Sequence, residues 1–229
     1  MRFVITGANR GIGLELARQV AARGDFVEAG ARDPGAAAEL QVIAEREPAR
    51  VRVHTCDVAS DTSVRAFASS VGDVAVDVLI NNAGVKGERR PLAEVDLEDA
   101  LRTFDTNALG PLRVTRAFLA NLRRGDGKRV VHMTSALASI TDNTTGDAYA
   151  YRMSKAALNM ASRSMAVDLR GEGILSVVLS PGWVKTDMGG PRAPLSVEES
   201  VRGMLGIIDR LTLEQSGSFL DYQGLAIGF

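Results

Sequence analysis

Short runs rich in β-branched residues alternate along this chain with longer segments of helical spacing, and this alternation constrains the fold most strongly. The strand candidates are residues 2–6, 26–30, 51–56, 76–81, 128–134, 174–179 and 217–220. The helical segments lie near 12–23, 36–47, 61–71, 96–122 (expected to be broken), 149–170 and 196–212. Strands that alternate with helices of this length favour right-handed crossovers. The predicted fold is therefore α/β, a doubly wound parallel sheet of about seven strands with helices on both faces.

The composition is that of an ordinary globular protein and argues against several classes. The chain has 229 residues, of which 45% are hydrophobic and 24% charged, and no linker-like or repeated segment. A single domain over residues 1–229 is therefore expected. The net charge is −1 without a basic stripe, which argues against a nucleic-acid partner. No apolar stretch approaches the roughly 20 residues needed to span a bilayer, and a strand candidate opens the chain, so we predict a cytoplasmic protein without a membrane partner.

Cysteine and histidine are scarce. Cys56 is the only cysteine, so an internal disulfide and a Cys-rich metal site are both excluded. His54 and His132 lie far apart in the sequence, each within a short apolar run. We interpret them as histidines of the core or of strand ends rather than zinc ligands, and no metal site is predicted.

The strongest local motif is TGANRGIG at residues 6–13, which follows the first strand candidate and opens the first helix. Glycine lets the backbone turn sharply and approach a pyrophosphate, whose charge the helix N-terminus favours. At the start of a βαβ unit this loop is typical of dinucleotide binding, which makes the predicted sheet Rossmann-type. The cofactor-binding residues predicted here are Gly7, Asn9, Arg10, Gly11, Ile12 and Gly13.

Ligands of such sheets bind beyond the carboxyl ends of the strands, and polar or small residues follow each strand here. Arg32 is placed to bind the 2′-phosphate of NADP(H), and Arg10 could reach the same position. Asp33 would favour NAD instead, unless its place before a proline makes it a turn residue. Asp57 either accepts a hydrogen bond from an adenine amine or starts a turn, and Asp61 is the expected N-cap of the next helix. The further predicted cofactor-binding residues are Val58, Asn81, Ala83, Gly84, Pro181, Gly182, Val184 and Thr186.

A tyrosine–lysine pair lies in the segment YAYRMSK at residues 149–155. On a helix, Tyr151 and Lys155 share one face because they are four residues apart, whereas Tyr149 points away beside Met153. The pair is either reactive or simply two polar residues on a solvent-exposed face. A free phenol with a pKa of about 10 is poorly matched to neutral-pH acid–base chemistry, and a nearby ammonium would lower that pKa.

Several motifs together resemble the short-chain dehydrogenase/reductase family, in order and over almost the whole chain. They are TGANRGIG, NNAG at residues 81–84, Asn107, Ser135, YRMSK and PGWVKT. Within the family, the segments TGANRGIGLELARQ, NALGPLRVTRAFL, AYAYRMSKAALNM and SGSFLDYQG look like the C-factor and sniffer-type carbonyl reductase subgroup. The resemblance implies an oxidoreductase that acts on a small-molecule carbonyl or alcohol, and Arg32 predicts that it prefers NADP(H) to NAD(H).

The resemblance also implies a role for each catalytic residue. Tyr151 would serve as the acid–base group, while Lys155 would lower its pKa and hold the nicotinamide ribose. Ser135 would bind the carbonyl oxygen. Asn107 would position a water toward Lys155, unless it is only a polar residue at a helix kink caused by Gly110 and the following proline.

Family members commonly associate through two helices, which correspond here to residues 106–122 and 149–170. The resemblance therefore implies a homodimer or homotetramer. The second helix carries Ala157, Ala161 and Ser164 on one face, and these could equally pack against the protein's own sheet.

The substrate is left open by two departures from the commonest pattern of the family. The segment TDNTTGD looks like a small insertion, and the segment after Thr186 is short and rich in Gly and Pro. Leu137, Trp183 and Met188 would line an apolar pocket or belong to the core. Two other functions remain as alternatives: a developmental signalling protein like C-factor, and a nucleotide-sensing regulator with little turnover.

Overall fold

Strands and helices alternate along the chain as predicted in a computed structural model that describes residues 1–229. The strands are Arg2–Thr6 (β1), Phe26–Ala31 (β2), Val51–Thr55 (β3), Val78–Asn81 (β4), Arg129–Met133 (β5), Leu175–Ser180 (β6) and Phe219–Asp221 (β7). The helices are Gly11–Ala22 (α1), Ala38–Arg46 (α2), Asp61–Val71 (α3), Leu97–Phe104 (α4), Gly110–Arg124 (α5), Tyr149–Asp168 (α6) and Val197–Ile208 (α7).

All seven strands are parallel, in the order β3-β2-β1-β4-β5-β6-β7. The chain moves outward from β1 through β2 to β3 and then returns to place β4 on the other side of β1. Crossovers that leave in opposite directions open a crevice at the carboxyl ends of β1 and β4, where ligands of such sheets bind. The predicted doubly wound sheet is confirmed.

The sheet is buried on both faces because successive strand residues point to opposite sides. In β1, Phe3 and Ile5 belong to the larger core cluster, which α1 and α7 cover. Val4 points the other way and joins Phe67 of α3 and Phe118 of α5 in a second cluster. Apolar residues can therefore occupy successive positions of a strand, as Val177 and Val178 do in β6, because each face of the sheet is covered by helices.

The long helical segment 96–122 is broken, as expected, by a five-residue π-helical turn at Asp105–Leu109 between α4 and α5. Pro111 has no N–H to offer the carbonyl of Asn107 four residues earlier, so regular α-helical bonding cannot continue. Gly110 sits tightly against Val58, since a Cβ there would lie 3.0 Å from Val58 Cγ2. Asn107 lies inside this widened turn.

Some predicted boundaries are wrong for identifiable reasons. The N-cap of α3 is Ser60, whose hydroxyl accepts the Ser63 N–H, so Asp61 is the first helical residue instead. β4 begins at Val78 rather than at residue 76. Asp77 precedes it, and its carboxylate accepts N–H groups from Arg2 and Gly127. No helix of the protein combines the length and the apolar character that crossing a membrane requires.

Candidate active site

The glycine loop after β1 has a geometry that admits glycine alone at its key positions. Gly7 has φ +64°, and a Cβ there would lie 2.8 Å from Ala83 Cα. A Cβ on Gly13 would come within 2.2 Å of the Gly7 carbonyl oxygen. Gly11 has φ +53° and faces the methyl group of Thr186. Contact with neighbouring backbone therefore requires glycine at positions 7 and 13, and the left-handed conformation favours it at position 11.

The start of α1 is open to an anion. No side chain caps it, and its first turn contains no acidic residue. The backbone N–H groups of that turn are therefore available to a phosphate, whose charge they and the helix dipole favour. Asn9 and Arg10 are exposed beside it, while Ile12 packs against the core. These residues fit a dinucleotide pyrophosphate.

The segment NNAG clamps the glycine loop from the neighbouring strand, and here the sequence argument missed two residues. Asn82 Nδ2 donates to the carbonyls of Thr6 and Gly7, at 2.9 and 3.1 Å. The Thr6 hydroxyl in turn accepts the N–H groups of Asn82 and Ala83. The sequence does show a Thr at the end of β1 and an Asn directly after β4, but their contact can be predicted only when the pairing of β1 with β4 is known.

The neighbouring Asn81 faces the opposite way. Its Nδ2 donates to Thr115 Oγ1 at 3.1 Å and to His132 Nδ1 at 3.2 Å in the interior. Contact between Asn81 and a cofactor is therefore left to its backbone. His132 is completely buried, also bonds to Ser176, and has its pKa lowered to about 3 by desolvation and by the charge of Lys155. It is a core histidine, as interpreted from the sequence.

Residues after β2 and β3 form the wall where an adenosine ribose would lie. Arg32 is exposed directly after β2, beside the small and buried Ala31. Asp33 turns back on its own loop, where its Oδ1 accepts the Ala36 N–H at 3.2 Å. Asp57 behaves similarly and accepts the Ala59 N–H at 3.0 Å. The turn interpretation of Asp33 is supported.

Val58 and Gly84 complete this side of the crevice. Val58 is buried and packs on the first turn of α5. Gly84 has no room for a larger side chain, because a Cβ would lie 3.1 Å from Asn107 Oδ1 and 3.4 Å from Lys155 Nζ. The backbone at Gly84 therefore passes directly beside the buried lysine.

Tyr151 and Ser135 meet at the carboxyl edge of the sheet. Tyr151 lies in the first turn of α6 and is partly exposed. Desolvation raises the pKa of Tyr151, and the neighbouring Ser135 side chain lowers it by a smaller amount. Tyr149 points away from the pair, toward Arg89 and Arg90. The helix-face prediction is confirmed.

Lys155 lies one turn further along α6 and is fully buried. Its Nζ donates to the Met133 carbonyl at 2.7 Å and lies 5.8 Å from the Tyr151 ring centroid. Burial lowers the pKa of Lys155 to about 8, because removal of water disfavours the ammonium form. The expectation that this ammonium would lower the pKa of Tyr151 below its usual value is wrong for this structure. Desolvation of the phenol is the largest influence on that pKa.

Asn107 is held firmly within the π-helical turn. Its Nδ2 donates to the Val85 carbonyl and its Oδ1 accepts the Val85 N–H, both at 2.8 Å. Its Nδ2 also donates to Ser154 Oγ at 3.0 Å. Asn107 thus ties the segment after NNAG to α6, next to Lys155, so it is more than a polar residue at a helix kink.

The segment after β6 forms the opposite wall. The Pro181 carbonyl accepts the Ser200 hydroxyl, and Gly182 has φ +82° with Tyr222 close to its missing Cβ. Val184 is buried, and Thr186 Oγ1 accepts the Gly189 N–H at 3.1 Å. The three apolar residues left open by the sequence are all exposed, so the core interpretation is wrong for them: Leu137, Trp183 and Met188.

The site therefore combines a loop shaped for a dinucleotide with a hydroxyl, a phenol and a buried ammonium at one edge of a doubly wound sheet. That combination defines a nucleotide-dependent oxidoreductase. The model of the family described as short chain dehydrogenase matches residues 2–194, and this chain belongs to that family.

Known relatives agree with the predicted subgroup. The C-signal protein of Myxococcus xanthus is 60% identical over 164 residues, which are 72% of this chain and 99% of that protein. The carbonyl reductase Sniffer of D. melanogaster superposes with a TM-score of 0.95 at 32% identity, covering 100% of this chain and 99% of that one. An NADPH-bound carbonyl reductase from chicken fatty liver gives a TM-score of 0.94 at 35% identity, with coverage of 100% and 98%.

Proposed function

We propose that the protein is an NADP(H)-dependent oxidoreductase that reduces an aldehyde or ketone, or oxidises the matching alcohol, with Ser135, Tyr151, Lys155 and Asn107 as its catalytic set. The observation that carries the proposal is the convergence of Ser135, Tyr151 and Lys155 at the carboxyl edge of the sheet, beside Gly84 of the segment NNAG. A lysine that was merely a polar residue on an exposed helix face would not be buried as Lys155 is.

The residues have distinct tasks in carbonyl reduction. NADPH, when bound, supplies the hydride that reduces the carbonyl carbon. Tyr151 gives its phenolic proton to the carbonyl oxygen, while the Ser135 hydroxyl donates a hydrogen bond to the same oxygen and orients it. The charge on Lys155 stabilises the phenolate that Tyr151 leaves behind. Asn107 fixes the backbone at Val85 and would position a water beside Lys155. This water would give the site a path for protons from solvent.

NADP(H) is the cofactor because the residues after β2 suit a phosphate. Arg32 is exposed there, Ala31 leaves space, and the Asp33 carboxylate is already bonded to its own turn. An arginine can offer parallel charge-assisted bonds to a phosphate. The chicken carbonyl reductase described above, which is structurally similar, was solved with NADPH bound.

The proposal is tested by following NADPH oxidation over a panel of aldehydes, ketones, quinones and diketones. We expect turnover with at least one class, and we expect Tyr151→Phe to remove nearly all of it while cofactor binding stays close to unchanged. Tyr149→Phe is the matched control and should be much milder, because that side chain points away from Lys155. Equal losses from the two variants, or no turnover across the panel, would contradict the proposal.

A second candidate function is favoured by the 60% identity to C-signal, a name that denotes a signalling protein. In that case nucleotide binding would matter more than turnover. The two functions are separated by asking whether cells that lack the protein are rescued by Tyr151→Phe. Rescue by the inactive variant would favour signalling, and failure of rescue by a folded variant would favour catalysis.

The remaining parts of the proposal concern location and assembly. A cytoplasmic location is consistent with the single cysteine, Cys56, which is a buried free thiol whose pKa burial raises to about 12. We also propose self-association into a homodimer or homotetramer, which the exposed apolar residues on the outer face of α6 support.

A further inference from the structure

The segment from Trp183 to Pro194, here called the lid, is held in one shape by its own hydrogen bonds. Trp183 Nε1 donates to the Gly189 carbonyl at 2.8 Å, and the Gly190 N–H donates to the Thr186 carbonyl at 2.8 Å. Backbone bridging between Val184 and Leu195 closes its base. The lid is therefore a compact unit with its own internal contacts.

Two side chains outside the lid attach its tip to the walls of the crevice. Arg10 of the glycine loop forms an ion pair with Asp187, with Nη1 3.0 Å from Oδ2. Lys86, which follows NNAG, donates to the Met188 carbonyl at 3.3 Å. Arg10 therefore contacts the lid and is also, with Arg32, one of the two arginines proposed to bind the 2′-phosphate.

We propose that Asp187 is a specificity-determining residue whose carboxylate competes with the 2′-phosphate of NADP(H) for Arg10. The inference rests on the proposed function, because it assigns part of the 2′-phosphate site to Arg10. A carboxylate and a phosphate beside the same guanidinium repel each other, and the phosphate carries the larger charge. Both Arg10 and Asp187 are mostly exposed, so their exchange of partners requires little desolvation.

The competition has a directional consequence. Binding of NADP(H) must displace Asp187, and this displacement opposes part of the affinity that Arg10 contributes. NAD(H) carries no phosphate at that position, so it leaves the contact between Arg10 and Asp187 intact. Removal of the Asp187 charge should therefore tighten binding of NADP(H) selectively, a gain that simple damage to the lid would not produce.

The chain provides its own reporter for the test. Trp183 is the single tryptophan and lies in the lid, so its emission can be titrated with NADPH and with NADH. For Asp187→Asn we expect NADPH to bind roughly two- to fivefold more tightly, the range that corresponds to loss of one exposed ion pair. NADH affinity should stay unchanged, and the gain for NADPH should shrink in high salt, which screens exposed charges.

Two controls make the result specific. Glu88→Gln removes another exposed carboxylate in an ion pair, with Arg90 at 3.0 Å, and should leave both affinities unchanged. In an Arg10→Ala background, Asp187→Asn should no longer tighten NADPH. Unchanged NADPH affinity in Asp187→Asn, or equal tightening for NADPH and NADH, would overturn the inference.

The same titrations separate this inference from the proposed function. If Arg10→Ala weakens NADPH while Asp187→Asn has no effect, the competition is wrong and the 2′-phosphate role of Arg10 stands. If Arg10→Ala leaves the ratio of NADPH to NADH affinity unchanged, that role is wrong, and the inference fails with it.

Discussion

At the scale of single residues, Lys155 carries an electrostatic cost that its burial creates. Its only protein partner is the Met133 carbonyl, which cannot replace the water removed from an ammonium group. Burial therefore lowers the pKa of Lys155 from 10.5 to about 8. Proteins retain such groups where the chemistry needs them, which supports a role for Lys155 beyond folding.

The cost predicts how stability depends on pH. Between pH 8 and 10.5 the unfolded state binds more protons at this lysine than the folded state does. Lys155 should therefore contribute a rise in the unfolding free energy through that window, of up to roughly 3 kcal/mol. Lys155→Met should lose this rise. The stability of this variant relative to the unmodified protein is therefore greatest below pH 8 and declines as the pH increases. Denaturant unfolding at several pH values checks this, and a pH-independent difference would contradict it.

Arg32 determines the choice of dinucleotide in the proposed function. Charge-assisted hydrogen bonds contribute roughly 1.5–3 kcal/mol each, or about one to two orders of magnitude in affinity. We expect the protein to prefer NADPH to NADH by at least about tenfold in catalytic efficiency, and Arg32→Ala to erode most of that preference by weakening NADPH alone. Arg46→Ala, an exposed control at the end of α2 and the opposite edge of the sheet, should change neither. Unaltered selectivity in Arg32→Ala would refute the assignment.

At the scale of elements, α6 places several functions on one face. Tyr151, Lys155 and Asn159 follow one another at intervals of four residues, so all three point toward the carboxyl end of β5. Asn159 Oδ1 accepts the Thr134 hydroxyl at 2.7 Å, next to Ser135 in sequence. This buried bond fixes the helix against the strand, and it thereby sets the distance between Tyr151 and the Ser135 hydroxyl.

The glycine loop gives a prediction at the same scale. In Gly13→Ala the new methyl group would lie 2.2 Å from the Gly7 carbonyl oxygen, a backbone atom that cannot move without distorting the loop. We expect a loss of stability of about 1–3 kcal/mol and NADPH binding weakened roughly tenfold or more. Gly171→Ala, where the methyl group meets open space, should change stability by less than about 0.5 kcal/mol. Thermal unfolding and the Trp183 titration measure both effects, and similar behaviour of the two variants would contradict the clash.

At the scale of the whole molecule, the outer face of α6 is apolar and uncovered. The residues that pack against the sheet are Leu158, Ser162 and Met165 among others, so the alternative that Ala157, Ala161 and Ser164 pack there is wrong. Those three lie on the outer side instead, together with three large exposed residues: Met153, Met160 and Val167. A stripe of this kind along a 20-residue helix suits a second copy of the same helix.

The stripe predicts self-association that a single charge should weaken. We expect a dimer or tetramer by sedimentation at micromolar concentration, since the apolar stripe would be buried between copies. Met160→Lys places a charge at its centre and should shift the protein toward monomer with its fold intact, because Met160 is exposed within one chain. A strictly monomeric profile for the unmodified protein would rule the association out.

The architecture and most of the candidate site residues can be predicted from the amino-acid sequence alone. Periodicity and turn chemistry are local properties, so the alternation of strands and helices, the glycine loop and the shared face of Tyr151 and Lys155 could all be read from neighbouring residues. The environment of those residues, in contrast, depends on the tertiary structure. It buried Lys155, it desolvated the Tyr151 phenol so that the pKa of this group is raised rather than lowered, and it turned Asn81 into the core. Desolvation and long-range partners depend on which distant segments meet, and no local pattern encodes that information.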